Sequence, residues 1–80
     1  MRLDKFLKVS RIIKRRTVAN EACDAGRVSV NGKPVKASYE VKPGDEIEIG
    51  FGSRAVKVRV LQVKETVRKE EAASMYELIE

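Results

Sequence analysis

Apolar residues near the amino terminus recur with the spacing of a helix. Leu3, Phe6 and Leu7 stand at i, i+3 and i+4, which predicts a short amphipathic helix. A second helix is predicted to begin around Thr17, a candidate N-cap, and to end before Gly26, because glycine is common just past a helix C-terminus. The inward face of this second helix is predicted to consist of small residues, Val18, Ala19, Ala22 and Cys23.

After the second helix the apolar spacing changes from helical to alternating, which predicts strands. Residues 27–30 alternate and run into Asn31-Gly32, a strong turn signal, so a hairpin is expected there. Two further alternating segments cover residues 46–51 and 54–63. The inward-facing residues of these two strands are predicted to be Ile47, Ile49, Phe51, Val56, Val58 and Val60.

From about residue 68 the helical spacing returns, with Ala72, Met75, Tyr76 and Ile79 on one face. The predicted fold is therefore α+β: two short N-terminal helices packed on a small, mostly antiparallel sheet, with a C-terminal helix. With 42% hydrophobic and 36% charged residues, the 80 residues are expected to form one globular domain, residues 1–80. No apolar run approaches the ~20 residues of a membrane span, so a cytoplasmic protein is expected.

Charge is distributed unevenly along the chain. The first sixteen residues carry seven basic side chains and one acid, Asp4, whereas the whole chain has a net charge of +5. The excess therefore lies entirely in this segment, where it is interleaved with the apolar residues of a helix. Such a fixed positive surface attracts a polyanion, and RNA is the predicted ligand. The single cysteine and the lack of histidine argue against a disulfide or a zinc site, and no cofactor is expected.

The candidate RNA-binding residues are basic side chains that would contact phosphates: Arg2, Lys5, Arg11, Lys14, Arg15 and Arg16, with Lys33 after the hairpin turn. Lys8 is as readily explained by simple exposure, and the whole set could be a solvated cationic face. Asp4 has two interpretations: it pairs with Arg2 or Arg16 and orients that guanidinium, or it is a first-turn acid favoured by the helix dipole. With four aromatic residues and no spaced platform of them, the target is expected to be folded, double-helical RNA.

Four blocks of sequence together resemble a known family. They are Arg-Leu-Asp-Lys at 2–5, a basic pair at 15–16, Ala-Gly-Arg-Val-Ser-Val-Asn-Gly at 25–32 and Val-Lys-Pro-Gly-Asp-Glu-Ile at 41–47. This order and spacing resembles the RNA-binding domain named after ribosomal protein S4 (the alpha-L motif), over about residues 1–52, with residues 53–80 as an extension. The resemblance implies RNA contacts at Arg2 and Arg16. Many members carry Ser-Arg where this chain has Arg15-Arg16, which adds charge and removes a small helix cap.

Among stand-alone copies of this domain, the chain resembles a group of bacterial ribosome-associated quality-control factors. That resemblance implies a non-enzymatic, monomeric protein that binds the stalled large ribosomal subunit, contacting rRNA and peptidyl-tRNA. It also implies a partner, RqcH, which brings alanyl-tRNA so that the nascent chain receives a C-terminal alanine tail.

Several alternatives remain at this point. A heat-shock-type factor of the same fold rescues large subunits without tailing, but it usually has an extended basic C-terminal region. A generic rRNA-binding or assembly protein, the appendage of an RNA-modifying enzyme, and a protein adaptor are the others; 80 residues leave no room for a catalytic domain. The predicted tail helix is acidic and either covers the sheet or meets a protein partner, through Glu70, Glu71, Glu77 and Glu80.

Overall fold

The structure, a computed structural model, describes residues 1–79. Two helices, α1 (Leu3–Val9) and α2 (Arg16–Asp24), precede a hairpin of β1 (Val28–Val30) and β2 (Lys33–Pro34), then β3 (Glu46–Phe51) and β4 (Arg54–Val60). A short helix, α3 (Lys69–Ala72), continues as a 3₁₀ turn (Ala73–Met75) and ends in β5 (Tyr76–Leu78). All strand pairs are antiparallel, in the order β2-β1-β3-β4-β5, which confirms the predicted α+β fold. Across the described residues, no helix is long and apolar enough to cross a membrane.

The molecule has two layers, with the helices on one face of the sheet. Leu3, Phe6 and Leu7 of α1 are fully buried, as their spacing predicted. They pack with small residues of α2 and with the inward residues of the strands in a single core: Ala19, Ala22, Cys23, Val28, Val30, Ile47, Ile49, Val58, Val60 and Met75. The outer face of the sheet is charged and is neutralised by ion pairs, with Arg59 lying 3.2 Å from Glu46 and 3.0 Å from Glu77.

Two residues predicted to be inward are exposed. Val18 is 48% exposed because the buried stripe of α2 runs through Ala19, Ala22 and Cys23 and leaves Val18 at its edge. Phe51 is 44% exposed because it is the last residue of β3, where the groove between α2 and the sheet stays open. Val56, also predicted inward, is only partly buried.

The hairpin between β1 and β2 forms as predicted. Asn31 and Gly32 both have positive φ, 52° and 85°, as a two-residue hairpin turn of this kind requires. The Asn31 side chain also ties the turn to β3, since its carbonyl oxygen accepts a hydrogen bond of 3.0 Å from the Glu46 amide. The turn is therefore anchored to the sheet rather than projecting freely.

The C-terminal segment differs from its prediction. The predicted helix is confirmed only over Lys69–Ala72, and the following residues pair as β5 with β4, which itself ends at Val60 rather than at residue 63. Ala72 and Met75 are buried as predicted, but Tyr76 lies in a strand. Pairing covers the edge of β4, whose amides and carbonyls would otherwise stay open. Glu80 lies outside the described residues.

Met75 provides a test of this arrangement, because its side chain is fully buried beneath the sheet. Met75→Ala is expected to lower the free energy of unfolding by about 2–5 kcal/mol through lost packing and a residual cavity. Leu78→Ala is the control: Leu78 is 68% exposed, so its loss should cost no more than about 0.5 kcal/mol. Urea unfolding measures both, and equal costs would contradict the observed burial.

Candidate RNA interface

The Asp4 carboxylate joins the two helices of the basic segment. Its Oδ1 lies 3.2 Å from Arg2 Nε and 3.4 Å from Arg16 Nη2. Its Oδ2 accepts hydrogen bonds of 3.3 Å from Arg2 Nη2 and 3.2 Å from Asn20 Nδ2. The Asp4 side chain is 3% exposed, whereas those of Arg2 and Arg16 are 50% and 47% exposed. One buried acid thus holds two guanidinium groups whose remaining surface faces solvent.

The environment of Asp4 favours its ionised form. Burial raises the pKa of the carboxyl, but hydrogen bonds from Asn20 and Arg16 and the positive charges of Arg16 and Arg2 outweigh that effect, so the pKa lies below its ordinary value of 3.8. Asp4 also stands in the first turn of α1, where the helix dipole favours an acid. Both interpretations of Asp4 drawn from the sequence are therefore compatible with its position.

A cationic groove runs between α1, the loop after it and the segment that leads into α3. The groove has a volume of about 910 Å³. Its basic lining residues are Lys5, Lys8, Arg11, Lys14, Arg16 and Lys69. Arg2 adjoins this cationic groove through Asp4, and Arg15 is exposed at the N-cap of α2. Lys33 lies on the edge strand β2 and is not among the lining residues.

Glu65 is the one acid in the lining of the cationic groove, and it pairs with Lys5 at 2.5 Å. The hydrogen bond and charge of Lys5 lower the pKa of this exposed carboxyl. Sequence reasoning missed Glu65 and Lys69, and it ranked Lys8 low. No local pattern could have found them, because contact between α1 and the segment before α3 joins residues sixty positions apart.

Arg11 ends α1 in a backbone conformation that usually belongs to glycine. Its φ is +64°, and its amide donates a 3.0 Å hydrogen bond to the Lys8 carbonyl. Gly26 occupies the matching place after α2, with φ +75° and an equivalent 3.0 Å bond to Cys23. A side chain in this conformation costs about 1 kcal/mol or more relative to glycine. The chain therefore carries a basic residue where glycine would be more stable.

The start of α2 differs from its prediction by one residue. Thr17 is not the N-cap, because the helix already begins at Arg16 and Arg15 occupies the cap with φ −118° and ψ 131°. No side chain caps the first amides of α2. These amides and two arginines share the helix terminus, an arrangement that suits a phosphate group.

Comparison with known proteins identifies the family. The S4 domain family matches residues 1–47, more than half of the chain. The RQC P-site tRNA stabilizing factor of Bacillus subtilis is 60% identical over 79 residues, which cover 99% of this chain and 92% of that protein. The chain belongs to the S4-domain family of RQC P-site tRNA stabilizing factors (RqcP). The resemblance drawn from the four sequence blocks is thereby confirmed.

Heat shock protein 15 is a more distant relative of this RqcP-family chain. The homologue from Aeromonas salmonicida is 38% identical over 65 residues, which cover 81% of this chain but 49% of that protein. The trimeric structure of Vibrio cholerae Heat Shock Protein 15 superposes with a TM-score of 0.91 at 29% identity, covering 99% of this chain and 81% of that chain. The two groups therefore share the fold, while the sequence places this chain with the RqcP family.

Replacing Asp4 tests its part in the fold. Asp4→Asn is expected to lower the free energy of unfolding at neutral pH by about 1–3 kcal/mol, because charged hydrogen bonds to both helices are lost. Since folding lowers the pKa of Asp4, its contribution is present above the ordinary pKa of 3.8 and is lost as the pH falls through the lowered value. The stability gap between parent and variant should therefore shrink in acid. Asp24→Asn, at the exposed end of α2, is the control, and a gap independent of pH would contradict this account.

Arg11→Gly tests the backbone cost at the end of α1. The variant is expected to gain about 1 kcal/mol in the free energy of unfolding, because glycine adopts positive φ without steric conflict. Arg11→Ala keeps a β-carbon at this φ and should gain nothing, so it is the matched control. Thermal unfolding distinguishes them, and an unchanged midpoint in Arg11→Gly would show that no strain is stored there.

Proposed function

We propose that this chain is a non-enzymatic RNA-binding factor of bacterial ribosome-associated quality control in the cytoplasm. It binds stalled large ribosomal subunits that carry peptidyl-tRNA, contacts rRNA and tRNA, and stabilises the tRNA in the P site. By this action it supports RqcH-dependent addition of a C-terminal alanine tail to the nascent chain, with alanyl-tRNA as the alanine donor. The chief support is 60% identity, over nearly the whole chain, to a protein named for stabilising P-site tRNA.

The distribution of charge supports this proposal. Within residues 1–79, no ion pair neutralises Arg11, Lys14 or Arg15, and Arg16 is shared with a buried acid that leaves about half of its side chain exposed. On the outer face of the sheet, by contrast, Lys57 and Arg59 lie within ion-pair distance of glutamates. The cationic groove is thus the surface best suited to a phosphate backbone.

The proposed RNA-binding residues have different roles. Arg2 and Arg16, held by Asp4, present oriented guanidinium groups that bind phosphate through two parallel hydrogen bonds. Lys5, Arg11, Lys14 and Arg15 supply further phosphate contacts along the cationic groove and at the start of α2. Lys33, on the far edge strand, contacts RNA only where the bound surface extends past the β1–β2 hairpin.

Stabilising a tRNA requires no chemistry from the protein. A rigid cationic body that binds rRNA and tRNA together favours the one tRNA position in which both contacts form, which shifts a population rather than lowering a chemical barrier. The core beneath α1 and α2 supplies this rigidity, since Leu3, Phe6 and Leu7 are fully buried. The monomeric chain therefore acts as a wedge between two RNA surfaces.

A rescue factor of the heat-shock type, acting without tailing, is the second candidate. It is favoured by the close superposition, TM-score 0.91, on Vibrio cholerae Heat Shock Protein 15. It is disfavoured by sequence, because identity to the Aeromonas homologue is 38% against 60% for the Bacillus factor. Affinity purification of the tagged chain in mild salt separates the two, since tailing requires RqcH to be recovered with large subunits and peptidyl-tRNA.

Arg16→Ala is expected to weaken co-sedimentation with large subunits by roughly tenfold or more at low salt, because a charge-assisted phosphate contact is lost. The slope of log affinity against log salt should shrink by about one unit. Arg2→Ala should behave alike, and circular dichroism should show both variants folded because each leaves Asp4 its other partners.

Arg59→Ala is the matched control, since it removes the same charge from the outer face of the sheet. Its effect on binding should be much smaller. If Arg59→Ala and Arg16→Ala weakened binding equally, only net charge would matter and the assignment of the cationic groove would be wrong.

A further inference from the structure

A second groove lies between α2 and the end of β3, on the other side of Lys14 from the cationic groove. Its volume is about 660 Å³. Apolar side chains from the loop after α1, from α2 and from β3 form its walls, and they end in Val18 and Phe51, which are 48% and 44% exposed. Lys14, Arg27 and Glu21 are its charged lining residues. We call it the Phe51 groove.

The backbone around Phe51 leaves the aromatic ring open. Gly50 and Gly52 flank it in sequence, so no neighbouring side chain along the strand covers the ring. Across the hairpin Phe51 pairs with Arg54, which is exposed. The alternation that buries Ile47 and Ile49 places Phe51 on the same face of the sheet, beyond the part that α2 covers. A partly uncovered aromatic ring thus stands among basic side chains.

We propose that the Phe51 groove receives an unpaired nucleotide of the RNA that binds the cationic groove. The base stacks against Phe51, and Arg27 and Lys14 bind its flanking phosphates. The Glu21 carboxylate can accept a hydrogen bond from an amino group of the base. This inference rests on the proposed function and adds to it a preference for RNA with an extruded base beside the stem.

Continuity and charge favour this ligand over the alternatives. Lys14 lines both grooves, so RNA lying in the cationic groove passes the rim of the Phe51 groove. A nucleotide combines a flat apolar base with an anionic phosphate, which matches an open aromatic ring beside two cations and one carboxylate. A second protein copy would bury an apolar patch but would leave these two cations to be desolvated without a matching acid.

Two hairpin RNAs test the proposal: one fully paired, and one with a single bulged nucleotide carrying a fluorescent adenine analogue. The full-length chain is expected to bind the bulged hairpin about tenfold more tightly, since stacking on an aromatic side chain stabilises a base by roughly that factor or more. Its fluorescence should be quenched. Phe51→Leu, which keeps an apolar side chain, should lose both the preference and the quenching, and Phe51→Tyr should retain them. Arg16→Ala should weaken binding of both hairpins equally.

Unchanged quenching with Phe51→Leu, or no preference by the parent chain, would overturn this proposal. Sedimentation of the free protein tests the alternative occupant, because self-association abolished by Phe51→Leu would assign the Phe51 groove to a second copy. The proposed function is tested separately. If Phe51→Leu still bound large subunits like the parent while Arg16→Ala did not, the RNA-binding role would stand without the nucleotide site.

Discussion

The arrangement of the basic segment depends on one buried carboxylate. Asp4 is 2% exposed, and its oxygens contact the side chains of Arg2, Arg16 and Asn20, so it links the start of α1 to the first turns of α2. A buried charge is costly unless it is paired and hydrogen-bonded, and here it is both. The same contacts restrict the two guanidinium groups to one orientation. Structural stability and presentation of cations to RNA therefore derive from the same interaction.

The two faces of the molecule treat charge in opposite ways. On the outer face of the sheet, Arg59 bridges Glu46 and Glu77, and these exposed pairs cancel within the protein. Along the cationic groove, Lys5 pairs with Glu65 while most other cations remain open, and Arg11 is retained at a φ of +64° where glycine would be more stable. Positive charge is thus kept where it costs stability and neutralised elsewhere. The fold holds these cations in a fixed pattern, which suits recognition of an RNA surface by shape.

Local sequence signals predicted the parts of the structure that depend on neighbouring residues. The spacing of Leu3, Phe6 and Leu7, the turn at Asn31-Gly32 and the alternation of β3 each correspond to an observed element. Predictions failed where distant segments decide the outcome. Tyr76 has helical spacing but joins the sheet because β4 needs a partner, Phe51 alternates correctly but lies beyond the helices, and Lys69 reaches the cationic groove through tertiary packing alone. The basic residues of the interface could be chosen from sequence, but their grouping around Asp4 and the groove could not.

The central claim is that the surface of α1 and the start of α2, ordered by Asp4, is the one that contacts RNA. Crosslinking the chain to large ribosomal subunits, followed by mass spectrometry of the peptides attached to RNA, tests it most directly. The account predicts crosslinks within residues 2–16 and at Lys69, on the lining of the cationic groove. Crosslinks confined to Lys57 and Arg59, on the neutralised outer face of the sheet, would contradict it.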